Sequence, residues 1–523
     1  MLAVTNPYDQ SIVAEIPYDS QEQIDAKLQA SAAAFEKWQN VPLADRIRIV
    51  KTGLDRMKLS GEVIARHVTL QMGKPLTQAR SELATMFDRA EQSIADAPAA
   101  LAPDVLPKVG FVRRIEHEPL GLVLDVAAWN YPLLIPINVI IPALLAGNVV
   151  LLKHSAKTPL TGQAFADAFA GLEVPQLVTN LTLTHEQTAE LIGDPRVAHV
   201  SFTGSVEGGR RIYQSVARSR LIDVGLELGG KDPAYVARDA NLEFAATNLV
   251  DGACYNAGQS CCAIERVYVH QDLYEPFLER AATLLTEYRL GNPLDDSTTM
   301  GPLASREAPK FLQKQVEDAT SRGARLLVGG HAPAELAGNF FLPTLLADVE
   351  NDAAVMQQES FGPLLPGCVS VPFNDLPALE QALSSREMAA FIVEPIQGKG
   401  VNLPNDGYLK SAAELCRRYG TLFVADEIQT GLGRTGRFLA VEHWDVEPDM
   451  VLLSKSLSGG HVPSGAVLMR RGTYDKVFNR MDRAVVASLR RQSESHWVRS
   501  RTANFLALGK HSQPADSLPL RQG

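Results

Sequence analysis

Short apolar runs separated by amphipathic stretches constrain this chain more than any other feature. GLVLDVA (121–127), GNVVLLK (147–153), QLVTNLT (176–182), AHVSFTG (198–204), DPAYVA (232–237) and ERVYVH (265–270) are each strand-length and rich in β-branched residues. Helical spacing appears early, ahead of these runs, which then alternate with helices. In QEQIDAKLQASAAAFEKWQN, for example, Ile24, Leu28, Ala32 and Phe35 recur at intervals of four and three. Strands alternating with helices predict an α/β protein built on a doubly wound sheet with helices on both faces. Residues 121–152 are the most apolar window, yet Asp125, Asn130, Asn138, Asn148 and three prolines interrupt it. It reads as a buried α/β core, because a membrane span needs about 18 or more uninterrupted apolar residues.

Beyond about Leu383 a fresh pattern begins. Strands AAFIVEP (389–395), TLFVADEI (421–428), DMVLLSKS (449–456) and SGAVLMR (464–470) surround the helix YLKSAAELCRRYG (408–420). Leu409, Ala412, Cys416 and Tyr419 make one apolar stripe on that helix, and Gly420 supplies its stop. From residue 487 the composition turns polar, basic and weakly periodic, which predicts a poorly ordered tail over 487–523.

A formal charge of −10 and a pI near 5.7 argue against a nucleic-acid or anionic-membrane surface. The five cysteines, three of them within 254–262, are too few and too clustered for a disulfide framework. They suit a reducing compartment and a reactive thiol. With no basic and apolar leader in MLAVTNPYDQ, the expected setting is cytoplasmic.

Four motifs stand together in the first part: AWNYP (128–132), SFTGSVEGG (201–209), LELGGKDP (226–233) and YNAGQSCCAIER (255–266). Taken singly, each has a plain structural reading: a buried turn, a solvated strand end, a helix start. Jointly, over roughly residues 5–383, they resemble the NAD(P)-dependent aldehyde dehydrogenase family, and within it the succinate-semialdehyde type. The resemblance implies a Rossmann-like coenzyme domain over 1–227 and a catalytic thiol domain over 228–385. It implies Cys261 as nucleophile, Glu227 as general base and the Asn130 amide as oxyanion donor. A thiolate suits this role because it adds readily to a carbonyl carbon and leaves readily from a thioester. NAD or NADP would be held by Trp129, Lys153, Gly204 and Ser205, with Glu359 and Phe361 of ESFGP at the nicotinamide end. Where many NAD-specific members carry Glu, this chain has Ala156, followed by Lys157, so NADP use stays open. The implied partner is a small aldehyde. Homo-oligomers are usual for the family, but its oligomerisation segment is not recognisable after Leu383.

The stretch 389–486 resembles class III pyridoxal-phosphate aminotransferases. That resemblance implies Asp426 at the pyridinium nitrogen, Gln429 at the ring hydroxyl and Lys455 as Schiff-base lysine. The family's phosphate cradle and ring-stacking aromatic are missing from this partial large-domain fragment (386–486). Three readings stay open: a dehydrogenase whose C-terminal part has been replaced, a transaminase, and a non-catalytic join of two truncated enzymes.

Overall fold

The computed structural model describes residues 1–109, 111–236, 239–369, 373–384, 390–397, 401–453 and 466–470. The expected tail at 487–523, and Lys455, lie outside the described residues.

A hairpin of β1 (Leu2–Thr5) and β2 (Ile12–Ile16) opens the chain. Four helices follow: α1 (Gln21–Trp38), α2 (Leu43–Leu59), α3 (Gly61–Met72) and α4 (Leu76–Ala100). A second antiparallel pair, β3 (Asp104–Val109) and β4 (Phe111–Ile115), makes its own two-stranded ribbon. The coenzyme-type unit then runs β5 (Leu122–Val126), α5 (Leu134–Leu145), β6 (Val149–Lys153), α6 (Pro159–Phe169), β7 (Val178–Asn180), α7 (His185–Ile192), β8 (Val197–Gly204), α8 (Val206–Ser219) and β9 (Val224–Leu228). Its five strands lie all parallel in the order β7-β6-β5-β8-β9. Central β5 and β6 are buried along their whole length, as near-continuous apolar runs in a doubly covered sheet must be. One face packs Val123, Val150 and Leu152 against Trp38, Ile140 and Phe165; the other packs Leu124, Leu151 and Val200 against Leu28, Ile192 and Ile212.

The stripe on α1 differs from its sequence reading. Ile24 and Leu28 are buried as expected, but Ser31, Ala34 and Trp38 complete the buried set, while Ala32 and Phe35 are only half-buried. The helix spans both sheet-face clusters, which rotates its contact line. Ser31 is tolerated there because its hydroxyl bonds Thr179 at 2.9 Å.

A second sheet collects β10 (Pro233–Val236), β11 (Arg266–Val269), β12 (Arg325–Val328), β13 (Thr344–Ala347) and β14 (Leu364–Val369) in the order β10-β11-β14-β13-β12. Helices α9 (Leu242–Cys254), α10 (Tyr274–Thr286), α11 (Ala308–Ser321) and the single turn α12 (Ala354–Gln357) build a separate apolar core on it. Next come α13 (Leu376–Ser384), β15 (Ala390–Val393), α14 (Tyr408–Tyr419), β16 (Leu422–Asp426), β17 (Met450–Leu453) and β18 (Ala466–Met469). The last four strands form their own sheet in sequential order. On α14 Leu409, Ala412 and Cys416 are fully buried, Tyr419 packs at the margin, and Gly420 (φ 80°) ends the helix as expected. Leu379 and Leu383 of α13 share that core with Phe423 and Ala425 of β16. Among the described residues no helix is long and apolar enough to cross a membrane.

One residue resists the logic of the parallel sheet. Asp125, in the middle of β5, is completely buried, and neither carboxylate oxygen has a hydrogen-bond partner. Burial raises its pKa well above the usual carboxylate range. The stability present while this carboxyl is protonated is lost as pH rises through that raised value, since the unfolded chain ionises from about pH 4 upward. Asp125→Val is therefore expected to raise the melting temperature, with a larger gain at about pH 8 than at about pH 5. The relief should reach ~1–3 kcal/mol, the usual cost of an unsatisfied buried polar group. Melting curves at the two pH values check it.

Candidate active site

The expected site residues lie along one edge of the parallel sheet, where its strands end. Trp129 and Asn130 follow β5, Lys153 ends β6, Gly204 ends β8, Ser205 follows it, and Glu227 is the penultimate residue of β9. This is the edge at which open α/β sheets bind ligands.

The loop bearing Cys261 is strained. Asn256 (φ 56°), Ala257 (φ 54°) and Gly258 (φ 71°) are three successive residues in the left-handed region. For a residue with a Cβ that conformation costs roughly 1–2 kcal/mol, so the surroundings must hold it. They do so with hydrogen bonds. Asn256 Nδ2 donates to the carbonyls of Asn130 and Gln259, both at 3.0 Å, and the Asn256 N–H donates to Gln78 Oε1 at 3.1 Å. Gln259 Nε2 returns to the Asn256 carbonyl at 3.1 Å, and Gln259 Oε1 takes the Ala304 N–H at 2.9 Å. Gly258 admits no other residue: a Cβ there would stand 2.2 Å from the Gly362 carbonyl oxygen. The GQSC and ESFGP motifs thus meet backbone against backbone. Cys261 emerges exposed at the end of this turn. Cys262 is half-buried, its sulfur 3.0 Å from Ser260 Oγ.

Asn130 is buried, and its Nδ2 donates to the Gln259 carbonyl at 3.2 Å, beside the thiol loop. An amide nitrogen carries two hydrogens, so one remains for a further acceptor. Trp129 meets Phe361 edge to face, with ring centroids 5.5 Å apart, which joins AWNYP to ESFGP. Burial first, then a hydrogen bond with Ser260 and nearby charges, set the Tyr131 phenol, which is pushed up to about 12.

A carboxylate that sequence reasoning passed over ties the rest together. Glu265 accepts the N–H groups of Ser360 and Phe361, each at 3.0 Å, and pairs with Lys231, whose ammonium also donates to Ser360 Oγ at 2.9 Å. Phe361 is held at φ 51° as a result. Glu359 is folded onto Gly229, where a Cβ would lie 2.1 Å from its Oε2. Its Oε1 is buried without a partner. Burial, reinforced by the neighbouring Glu265 charge, pushes the Glu359 carboxyl up to about 7, against the Gly230 N–H and Lys231. Glu227 lies two residues before Gly229 and is exposed. Thus Asn130 bonds the loop that bears Cys261, Trp129 packs on Phe361 next to Glu359 in sequence, and Glu227 sits on the strand end that carries Glu359's seat.

The residues expected at the coenzyme offer donors of the kind a dinucleotide needs. Ser205 caps α8 by accepting the Gly208 N–H at 3.1 Å, leaving a 14-residue helix with its positive end at the sheet edge. The Phe202 ring lies across Gly204 and Gly208, which would both crowd it with any side chain. Lys153 is buried, burial lowers its pKa, and among the described residues no acceptor contacts its ammonium. A buried cation and a helix N-terminus at the same end of the sheet fit a phosphorylated, hydroxyl-rich ligand. Ala156 is exposed and brings no carboxylate. Lys157 instead spans to the Ala304 carbonyl at 3.2 Å, with its ammonium 5.7 Å from the Trp129 ring.

Comparison with known proteins now decides the family. The aldehyde dehydrogenase family profile matches residues 1–376. The chain belongs to this family. Succinate-semialdehyde dehydrogenase [NADP(+)] of Deinococcus radiodurans is 34% identical over 363 residues, covering 69% of this chain and 76% of the relative. Succinate semialdehyde dehydrogenase [NAD(P)+] Sad of Escherichia coli K12 is 33% identical over 69% of this chain and 78% of its own length. The solved structure of the Streptococcus pyogenes succinic semialdehyde dehydrogenase in complex with NADP+ superposes with a TM-score of 0.69 at 25% identity, covering 81% of this chain and 90% of that one. The protein is thus an NAD(P)-dependent aldehyde dehydrogenase over its first three quarters.

A second profile, aminotransferase class III, matches residues 350–481 and overlaps the end of the first. In that part of the dehydrogenase Asp426 ends β16, with Oδ1 accepting the Ile428 N–H at 3.0 Å, and half-buried Gln429 follows in the turn. Buried Glu427, between them, takes the Val441 N–H at 2.9 Å. Among the described residues Asp426 and Gln429 are the expected cofactor contacts at this strand end, and Lys455 lies outside the described residues.

Because the Glu359 carboxyl is raised in the folded state, its stabilising contribution is complete below about pH 4.5 and lost as pH rises through about 7. Wild type is expected to lose thermal stability across that window relative to Glu359→Gln. Melting temperatures of both proteins from about pH 4.5 to 8 check the sign.

Proposed function

We propose that this aldehyde dehydrogenase oxidises a small semialdehyde to the acid through Cys261. The Cys261 thiolate adds to the aldehyde carbon, giving a thiohemiacetal oxyanion that the second Asn130 N–H and the Cys261 backbone N–H stabilise. Bound NAD(P)+ supplies the hydride acceptor for that carbon. Glu227 then takes a proton from water as the water attacks the thioester, and the thiolate leaves as the acid forms. Lys153, Ser205 and Gly204 hold the adenosine and pyrophosphate end, while Trp129, Phe361 and Glu359 orient the nicotinamide end. One observation carries the reading: the Asn130 amide is anchored 3.2 Å from the Gln259 carbonyl, two residues before the thiol. The semialdehyde preference rests on the relatives' names, and Ala156, with no carboxylate to repel a 2′-phosphate, supports NADP. Free thiols at Cys254, Cys261, Cys262 and Cys416 support a reducing, cytoplasmic setting.

The proposal includes self-association. The β3–β4 ribbon presents Phe111, 77% exposed, beside Val112 and Ile115, more apolar surface than an isolated two-stranded ribbon keeps in water. Phe111→Glu is expected to shift the protein to a smaller species in light scattering.

NADH and NADPH formation with a panel of aldehydes and semialdehydes tests the chemistry. Cys261→Ala should abolish turnover, and Asn130→Ala should lower kcat by ~10²–10³-fold, the usual loss for one oxyanion donor. Turnover that survives Cys261→Ala would sink the assignment.

A further inference from the structure

The catalytic segment has a support that no motif announced. Lys74, in the turn between α3 and α4, and Glu82, on α4, form an ion pair whose side chains are 0% and 2% exposed. Burying two charges is costly, and removing one partner alone leaves the other buried and unpaired. An apolar pair would fill the same space more cheaply, so the hydrogen bonds the pair makes are the informative feature.

Every donor of the Lys74 ammonium is engaged. One hydrogen goes to Glu82, one to the Asn130 carbonyl at 2.9 Å, and the Nζ sits 4.2 Å from the Tyr131 ring centroid in a cation–π contact. Glu82 Oε1 in turn accepts the N–H groups of Leu133 at 2.8 Å and Leu134 at 3.2 Å, the first turn of α5. The single ion pair therefore grips residues 130–134 at both ends. The restraint reaches the thiol loop through Asn130 itself, whose carbonyl also accepts Asn256 Nδ2 at 3.0 Å.

We propose that Lys74, neutralised by Glu82, is a positioning residue for the dehydrogenase reaction: it holds the Asn130 peptide so that the Asn130 amide is aimed over the Cys261 loop. It acts through Asn130 and not on the reacting atoms. The inference rests on the oxyanion role given to Asn130 above.

A double-mutant cycle tests it. In Lys74→Met/Glu82→Gln no charge is left buried, and the Gln carbonyl still accepts the α5 N–H groups, while the grip on Asn130 is gone. This variant should fold, keep its KM for NADP+ within about twofold, and lose ~10–100-fold in kcat, part of the ~10²–10³ a donor is worth. Asn130→Ala added to it should cost only a few-fold more, because the two changes act on one interaction. Its crystal structure should show the Asn130 amide turned away from the Gln259 carbonyl. The proposal is overturned if kcat stays within about threefold of wild type, or if Asn130→Ala costs its full factor in both backgrounds. If Asn130→Ala is silent in the native background, the oxyanion role itself fails and takes the positioning claim with it. Should the double variant not fold, Lys74→Leu/Glu82→Gln, which likewise leaves no donor for the Asn130 carbonyl, carries the same cycle and the same criteria.

Discussion

The Glu265 carboxylate is the interaction on which the site's architecture hangs. It sits just past the thiol loop, pairs with Lys231 after β9, and receives two successive N–H groups from the ESFGP segment. Three stretches more than 30 residues apart in the chain are thereby fixed to one another. A charged acceptor for two backbone donors is among the stronger hydrogen-bonding arrangements available inside a protein. Without it, Phe361 would have little reason to hold a positive φ, and the Gly258–Gly362 contact would lose its backing.

Strain and restraint are balanced around the sulfur. The left-handed turn at Asn256–Gly258 stores unfavourable backbone energy, and a ring of amide hydrogen bonds from Gln78, Asn130, Gln259 and Ala304 keeps it wound. Buried charge serves the same end on the other side, where Lys74 and Glu82 clamp the segment carrying Asn130. The thiol is exposed at the end of a loop that the surrounding hydrogen bonds leave little freedom, the arrangement a nucleophile needs if its partners are to be preorganised.

The C-terminal third obeys different constraints. Its four-stranded sheet and α14 lie within the stretch that matches class III aminotransferases, and so does α13, which lends Leu379 and Leu383 to the same core.

Much of this was legible in the residues. Alternating strand-length apolar runs predicted the parallel sheet that β5–β9 form, and Leu409, Ala412, Cys416 and Gly420 marked α14 and its stop. The joint motifs pointed to Asn130, which bonds the Gln259 carbonyl in the loop that carries Cys261, and to Trp129 and Phe361, whose rings meet in the fold. Ser31 and Trp38 on α1 escaped, because which side of a helix is buried depends on the layers it lies between. Lys74, Glu82, Lys231 and Glu265 escaped for a related reason: a charged residue in a sequence reads as surface until its partner, distant in the chain, is known. Residue type and periodicity determined the elements and the chemistry on offer. Only the tertiary structure decided which charges are buried, what they grip and where the Asn130 amide is aimed, because burial and pairing arise from contacts between segments that no local spacing encodes.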